Sequence, residues 1–93
     1  VERSQPGPAA GHTVTLLTRA GCHLCARAAE ELTVLRDELG FTLVTTDVDA
    51  LAAEGDNSLR AQYGDLLPVV LLDGTEHSYW EVDAAQLRSD LGH

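Results

Sequence analysis

Apolar and polar positions along this chain follow two different periods, and the switches between them mark its elements. From His12 the chain runs TVTLLT, a β-branched and aliphatic stretch of strand length that Gly21 soon interrupts. Beyond it, Leu24, Ala28, Leu32, Leu35 and Leu39 recur at spacings of four and three, while Arg27, Glu30, Glu31, Arg36, Asp37 and Glu38 take the other side. That pattern predicts an amphipathic helix stopped by Gly40. FTLVTTDV predicts a second strand, and a polar, partly helical stretch follows from Asp49 to Tyr63. Pro68 introduces VVLL, a third strand, and Asp73-Gly74 is a two-residue hairpin signal leading into HSYWEV. AAQLRSDL closes the chain as a short helix.

The predicted order is β-α-β-α-β-β-α. A β-α-β start implies a parallel pair, because parallel strands need a crossover and the helix supplies it. The Asp-Gly hairpin adds an antiparallel edge. The fold class is therefore α/β, a four-stranded mixed sheet flanked by helices. Residues 1–11, VERSQPGPAAG, are rich in Pro, Gly and small side chains and lack periodicity, which predicts a flexible tail ahead of one domain at 12–93.

Composition narrows the function. At 93 residues the chain supports one compact core, hiding about 60–65% of its unfolded surface. Fifteen leucines and only four aromatics, Phe41, Tyr63, Tyr79 and Trp80, make that core aliphatic. Six arginines, no lysine and fifteen carboxylates give a net charge of -9, which repels phosphate backbones and anionic lipid, so neither nucleic acid nor membrane is an expected partner. No apolar run approaches the roughly 20 residues of a membrane span, and residues 1–11 lack the apolar segment of a secretory signal, so a cytoplasmic location is expected. The cluster Asp47, Asp49, Glu54 and Asp56 lacks the glycine and terminal glutamate of a calcium loop and reads as a solvated acidic face.

The only two cysteines, Cys22 and Cys25, lie three apart where the long helix begins. With Cys22 at or just before the first turn, its sulfur faces unpaired N–H groups and the positive end of the helix dipole, both of which favour thiolate. Free cysteine titrates near ~8.5, and such surroundings lower it to roughly 3.5–7.5. Arg19 and His23 flank it and could add positive charge. Cys25, one turn further in, is expected to be more sheltered. This asymmetry suits disulfide exchange, with Cys22 attacking and Cys25 resolving. Two alternatives stay open at this point. The pair could be inert packed thiols, or half of a metal or cluster site; a closed zinc site needs four Cys or His ligands, to be recruited from His12, His23, His77 or His93. Pro68, at the mouth of a buried strand, is compatible with an ordinary trans bond or with the cis form that X-Pro bonds permit.

Taken together, TVTLLT running into CHLC at a helix start, Pro68 placed 43 residues after Cys25, and the Asp-Gly hairpin beyond it resemble the thioredoxin superfamily, and more closely its glutaredoxin-like proteins. The resemblance covers about residues 13–91. It implies a thioredoxin fold and a thiol-disulfide oxidoreductase whose redox centre is the Cys22–Cys25 disulfide itself, with no metal and no other cofactor. It implies that Pro68 is cis and packs beside the dithiol, that the backbone of Leu67 pairs with substrate, and that Arg19 occupies an often basic position at the site. A disulfide-bearing protein or a low-molecular-weight thiol is the implied partner, with a reductase as a further electron donor, and a monomer is expected. The chain departs from the glutaredoxin pattern in places. His23-Leu24 stands where Pro-Tyr is common, Leu66-Leu67-Pro68 replaces Thr-Val-Pro, and EHSYWEVDAAQL has no Gly-Gly-x-Asp element of the kind that holds glutathione.

Overall fold

A computed structural model of the chain describes residues 10–91. Most of the expected tail, residues 1–9, lies outside the described residues; Ala10 and Gly11 form an exposed turn. The elements are β1 (Thr13–Thr18), α1 (His23–Leu39), β2 (Thr42–Asp47), α2 (Val48–Ala53), α3 (Ser58–Tyr63), β3 (Val69–Leu72), β4 (Thr75–Tyr79) and α4 (Ala84–Leu91). The sheet is four-stranded in the order β2-β1-β3-β4. β1 and β2 run parallel, from Thr13 opposite Thr42 to Thr18 opposite Asp47, with α1 as their crossover. β3 is antiparallel to both β1 and β4, and a register shift between Val70 and Leu71 interrupts the last ladder. This is the α/β mixed sheet that the pattern predicts.

Alternation along the two central strands divides the core. Val14 and Leu16 of β1 with Val70 of β3 join Ala28, Leu32, Leu35 and Leu39 of α1, Phe41, and Leu87 and Leu91 of α4. Leu17 and Val69 belong to a second cluster with Val48, Tyr63, Leu67 and Cys25. Because successive side chains of a strand point to opposite faces, each central strand feeds both clusters.

Four details differ from the sequence expectation. The partly helical stretch from Asp49 to Tyr63, expected to hold one helix, holds two short ones, since Gly55 (φ 109°) ends the first and Asp56 turns back on Ser58. The buried stripe of α1 begins at Cys25 and not at Leu24, which is 51% exposed. Both residues satisfy helical spacing with Ala28 and Leu32, so periodicity cannot choose between them; the angle at which the helix meets the sheet does. β4 stops at Tyr79, short of the end of the HSYWEV stretch, because Trp80 turns out of the strand at φ 68°. Finally, the acidic cluster is not simply solvated: Asp47 caps α2 by accepting from the N–H groups of Asp49 and Ala50, and Asp49 holds an arginine.

The hairpin forms where Asp73-Gly74 predicts it, with φ of 51° and 85° at the two positions. Both values match the turn that suits twisted strands. Asp73 also anchors the start of β1, its carboxylate accepting from the N–H of Thr13 at 2.8 Å and from His12 Nδ1 at 2.6 Å. At the far end of α1, Gly40 adopts φ 89° and donates to the carbonyl of Arg36 at 2.7 Å, the left-handed cap that glycine adopts most readily. No helix among the described residues is long and apolar enough to cross a membrane.

Candidate active site

Cys22 is the N-cap of α1, extended at φ -94° and ψ 109°. A cap residue has left the helix while its side chain still faces the first N–H groups, and here the Sγ atom accepts from the N–H of Cys25 at 3.1 Å. Gly21, at φ 77°, gives the loop the left-handed turn that delivers the cysteine to this position. Cys22 and Cys25 form a disulfide with Cα atoms 5.1 Å apart. The two sulfurs are not equivalent: Cys22 is half-buried, whereas Cys25 is only 2% exposed. Cys25 packs with Leu17, Val48, Tyr63, Leu67 and Val69, and Cys22 packs against the edge of the same cluster.

The peptide bond between Leu67 and Pro68 is cis. Pro68 is fully buried, and Leu67 lies in the cluster that holds Cys25. The carbonyls on either side of Leu67 are occupied, both accepting from the N–H of Trp80, Pro68 at 2.7 Å and Leu66 at 3.2 Å. Among the described residues no hydrogen bond engages the N–H or C=O of Leu67.

Arg19 is engaged by a carboxylate and a backbone carbonyl. Its Nε and Nη2 donate to the two carboxylate oxygens of Asp49, each at 3.0 Å, and Nη1 donates to the carbonyl of Gly64 at 3.4 Å. The hydrogen bond to Asp49, and then its charge, raise the guanidinium pKa further. One side chain thus ties together the loop before Cys22, the start of α2 and the start of the proline loop. Arg60 lies 3.9 Å from the same carboxylate. His23, the first residue of α1, is exposed. Among the described residues no group of three metal-ligating side chains gathers anywhere, at the cysteines included.

One part of the site carries no sequence signal. The hydroxyl of Tyr63, which packs in the cluster with Cys25 and Leu67, donates to Glu76 Oε2 at 2.7 Å, and the hydroxyl of Tyr79 donates to Oε1. Tyr63 stands on α3 while Glu76 and Tyr79 share β4, so only the folded chain brings the three together. The two hydroxyls, Tyr79 first, hold the Glu76 carboxyl below the ordinary glutamate value of 4.5. A carboxylate whose pKa is lowered on folding contributes stability that is complete above the unfolded value and is lost as pH falls through the folded one. The melting-temperature gap between wild type and Glu76→Ala is therefore expected to be widest near neutral pH and to narrow below about pH 4. Thermal melts of both proteins across that range test it; a gap that does not depend on pH would remove the carboxylate from the account.

A mixed sheet with a Cys-x-x-Cys disulfide capping its first helix and a cis proline ahead of the third strand defines a glutaredoxin-like member of the thioredoxin superfamily. Residues 13–92 match the family model described as Glutaredoxin-like domain (DUF836), and the chain belongs to that family. Uncharacterised proteins of Mycobacterium tuberculosis and Mycobacterium bovis are 62% identical to it over 78 residues, covering 84% of this chain and 80% of theirs. Among solved structures, protein Ne2328 of Nitrosomonas europaea superimposes with a TM-score of 0.70 at 22% identity, covering 98% of both chains. Thioredoxin of Fasciola hepatica does so with a TM-score of 0.60 at 20% identity, over 91% of this chain and 82% of its own. At these identities the two structures speak for the fold alone. Family and disulfide together support a thiol redox role.

Proposed function

We propose that this protein is a thiol-disulfide oxidoreductase in which Cys22 is the nucleophile and Cys25 the resolving thiol. The observation that carries this reading is the half-buried Cys22 sulfur capping α1 while its disulfide partner Cys25 is buried beside Leu67. In the reduced protein the cap N–H and the helix dipole favour charge on Cys22 over charge on Cys25, whose apolar surroundings favour the neutral thiol. The Cys22 thiolate attacks one sulfur of a substrate disulfide. That S–S bond breaks, its second sulfur leaves as a thiolate and takes up a proton, and a mixed disulfide to Cys22 forms. Cys25 then loses its proton and attacks Cys22 Sγ, releasing the other substrate thiolate. The substrate gains two electrons, and the protein returns to the Cys22–Cys25 disulfide. Two equivalents of a low-molecular-weight thiol, or a reductase, supply the electrons for the next cycle.

The unengaged N–H and C=O of Leu67 support a role in pairing with the substrate backbone next to the reacting sulfur. For Arg19 we favour positioning over substrate contact, because Asp49 already takes two of its donors. The test is alkylation of the reduced protein across pH, followed by mass spectrometry. Half-maximal labelling of Cys22 is expected below about pH 7.5, against ~8.5 for a free thiol, with Cys25 labelling only at higher pH. Two cysteines that both label like free peptide thiols would overturn the assignment.

A further inference from the structure

An open groove of about 370 Å³ lies between the first turns of α1 and the segment after β4. Its apolar walls are Leu24, Trp80 and Val82, and its charged side chains are Arg27, Glu31 and Glu81. Leu24 lies between the two cysteines in sequence, so one wall of the groove belongs to the Cys-x-x-Cys motif itself. Leu24 is 51% exposed and Trp80 56%, large apolar surfaces on the two sides of one groove. Trp80 is held there by its own φ of 68° and by the hydrogen bond of Nε1–H to the carbonyl of Asp65 at 3.4 Å.

The charges in and around the groove favour one kind of occupant. Among the described residues neither Glu31 nor Glu81 has an ion-pair partner, and a single arginine opposes the two. Arg19 is already neutralised by Asp49, and the chain as a whole carries -9. A partner approaching Cys22 therefore meets an anionic field around an apolar slot. Fields of this kind raise the encounter rate of oppositely charged partners and slow like-charged ones.

We infer that this groove docks the segment flanking the disulfide of a client protein, and that it selects segments combining an aliphatic or aromatic side chain with Lys or Arg. The selection rests on the thiol-disulfide reading above, but the groove can be tested apart from it. Two peptides, Leu-Lys-Cys-Lys and Leu-Glu-Cys-Glu, each carry thionitrobenzoate on the cysteine, and its release by the reduced protein is followed by colour. Each rate is divided by that of dithiothreitol with the same peptide, which removes intrinsic differences in reactivity. The Lys peptide is expected to react at least about tenfold faster at low salt, and the preference to collapse at 1 M salt, where the screening length is about 3 Å. The double variant Glu31→Gln/Glu81→Gln should narrow the preference to below about threefold. Equal rates, or a ratio indifferent to salt and to the variant, would overturn the selection.

Binding is read separately from chemistry. Trp80 is the only tryptophan, so its emission reports the groove directly. The Lys peptide with serine in place of cysteine should shift that emission saturably in the oxidised protein, and the Glu analogue should not. Saturable binding with no thionitrobenzoate release from either peptide would sink the redox reading and leave the groove standing. Release at equal rates with no shift in emission would do the reverse.

Discussion

Cys25→Ser is expected to turn catalysis into capture: incubated with a disulfide substrate, the variant accumulates a covalent adduct on Cys22 and releases only one of the two substrate thiols. Cys22→Ser is expected to form no adduct and to lose turnover by ~10³-fold or more, the scale on which an essential nucleophile is missed. The contrast follows from the unequal burial of two sulfurs that belong to one bond. Cys22 is reachable from solvent and faces the N–H of Cys25, while Cys25 lies inside an apolar cluster where a substrate sulfur has no approach. Neither replacement should unfold the chain. The bridge closes a loop of only a few residues, so its loss returns about 2 kcal/mol of conformational freedom to the unfolded state. Intact-mass spectrometry of each variant after mixing with substrate distinguishes the outcomes. An adduct on Cys22→Ser, or none on Cys25→Ser, would reverse or remove the assigned roles.

Leu32→Ala is expected to destabilise the fold by about 2–5 kcal/mol, whereas Leu24→Ala should stay within about 0.5 kcal/mol. Leu32 is fully buried between α1 and the sheet, among Val14, Leu16, Val70 and Leu87. Truncating it leaves a cavity that neighbours fixed on two strands and another helix cannot collapse to fill. A domain of this size has roughly 5–15 kcal/mol to lose, and each kcal/mol corresponds to about 4–8 °C, so Leu32→Ala should melt at least about 8 °C lower. Urea denaturation with unchanged m-value would confirm that the native core is what changed. Comparable losses at both leucines would mean that Leu24 packs in the core and does not stand on a groove.

The legible parts of this protein are those written in neighbouring residues. The β1 and β3 runs, the spacing of Ala28, Leu32, Leu35 and Leu39, the stop at Gly40 and the Asp73-Gly74 hairpin each draw on interactions within a few positions, and each stands within a residue or two of its expected place. The cysteine pair was legible as chemistry for the same reason, because a cap is a local event. Less could be read where a choice depends on what lies across the fold. Periodicity admits both Leu24 and Cys25 to the apolar stripe, and only the packing of α1 on the sheet exposes the first and buries the second. Arg19 looks like a free cation near the sulfurs until Asp49, thirty positions away, takes up its guanidinium.

From sequence alone came the alternation of strands and helices, the polarity of the sheet and the placement of a dithiol at a helix start, because hydrophobic period, glycine and turn chemistry act over short spans of chain. Tertiary structure alone decided that Asp49 takes up Arg19, that Tyr63 and Tyr79 converge on Glu76, and that Leu24 and Trp80 face one another across a groove. Those outcomes depend on the angles at which whole elements meet, and these are set by the summed packing of two cores that no local stretch encodes.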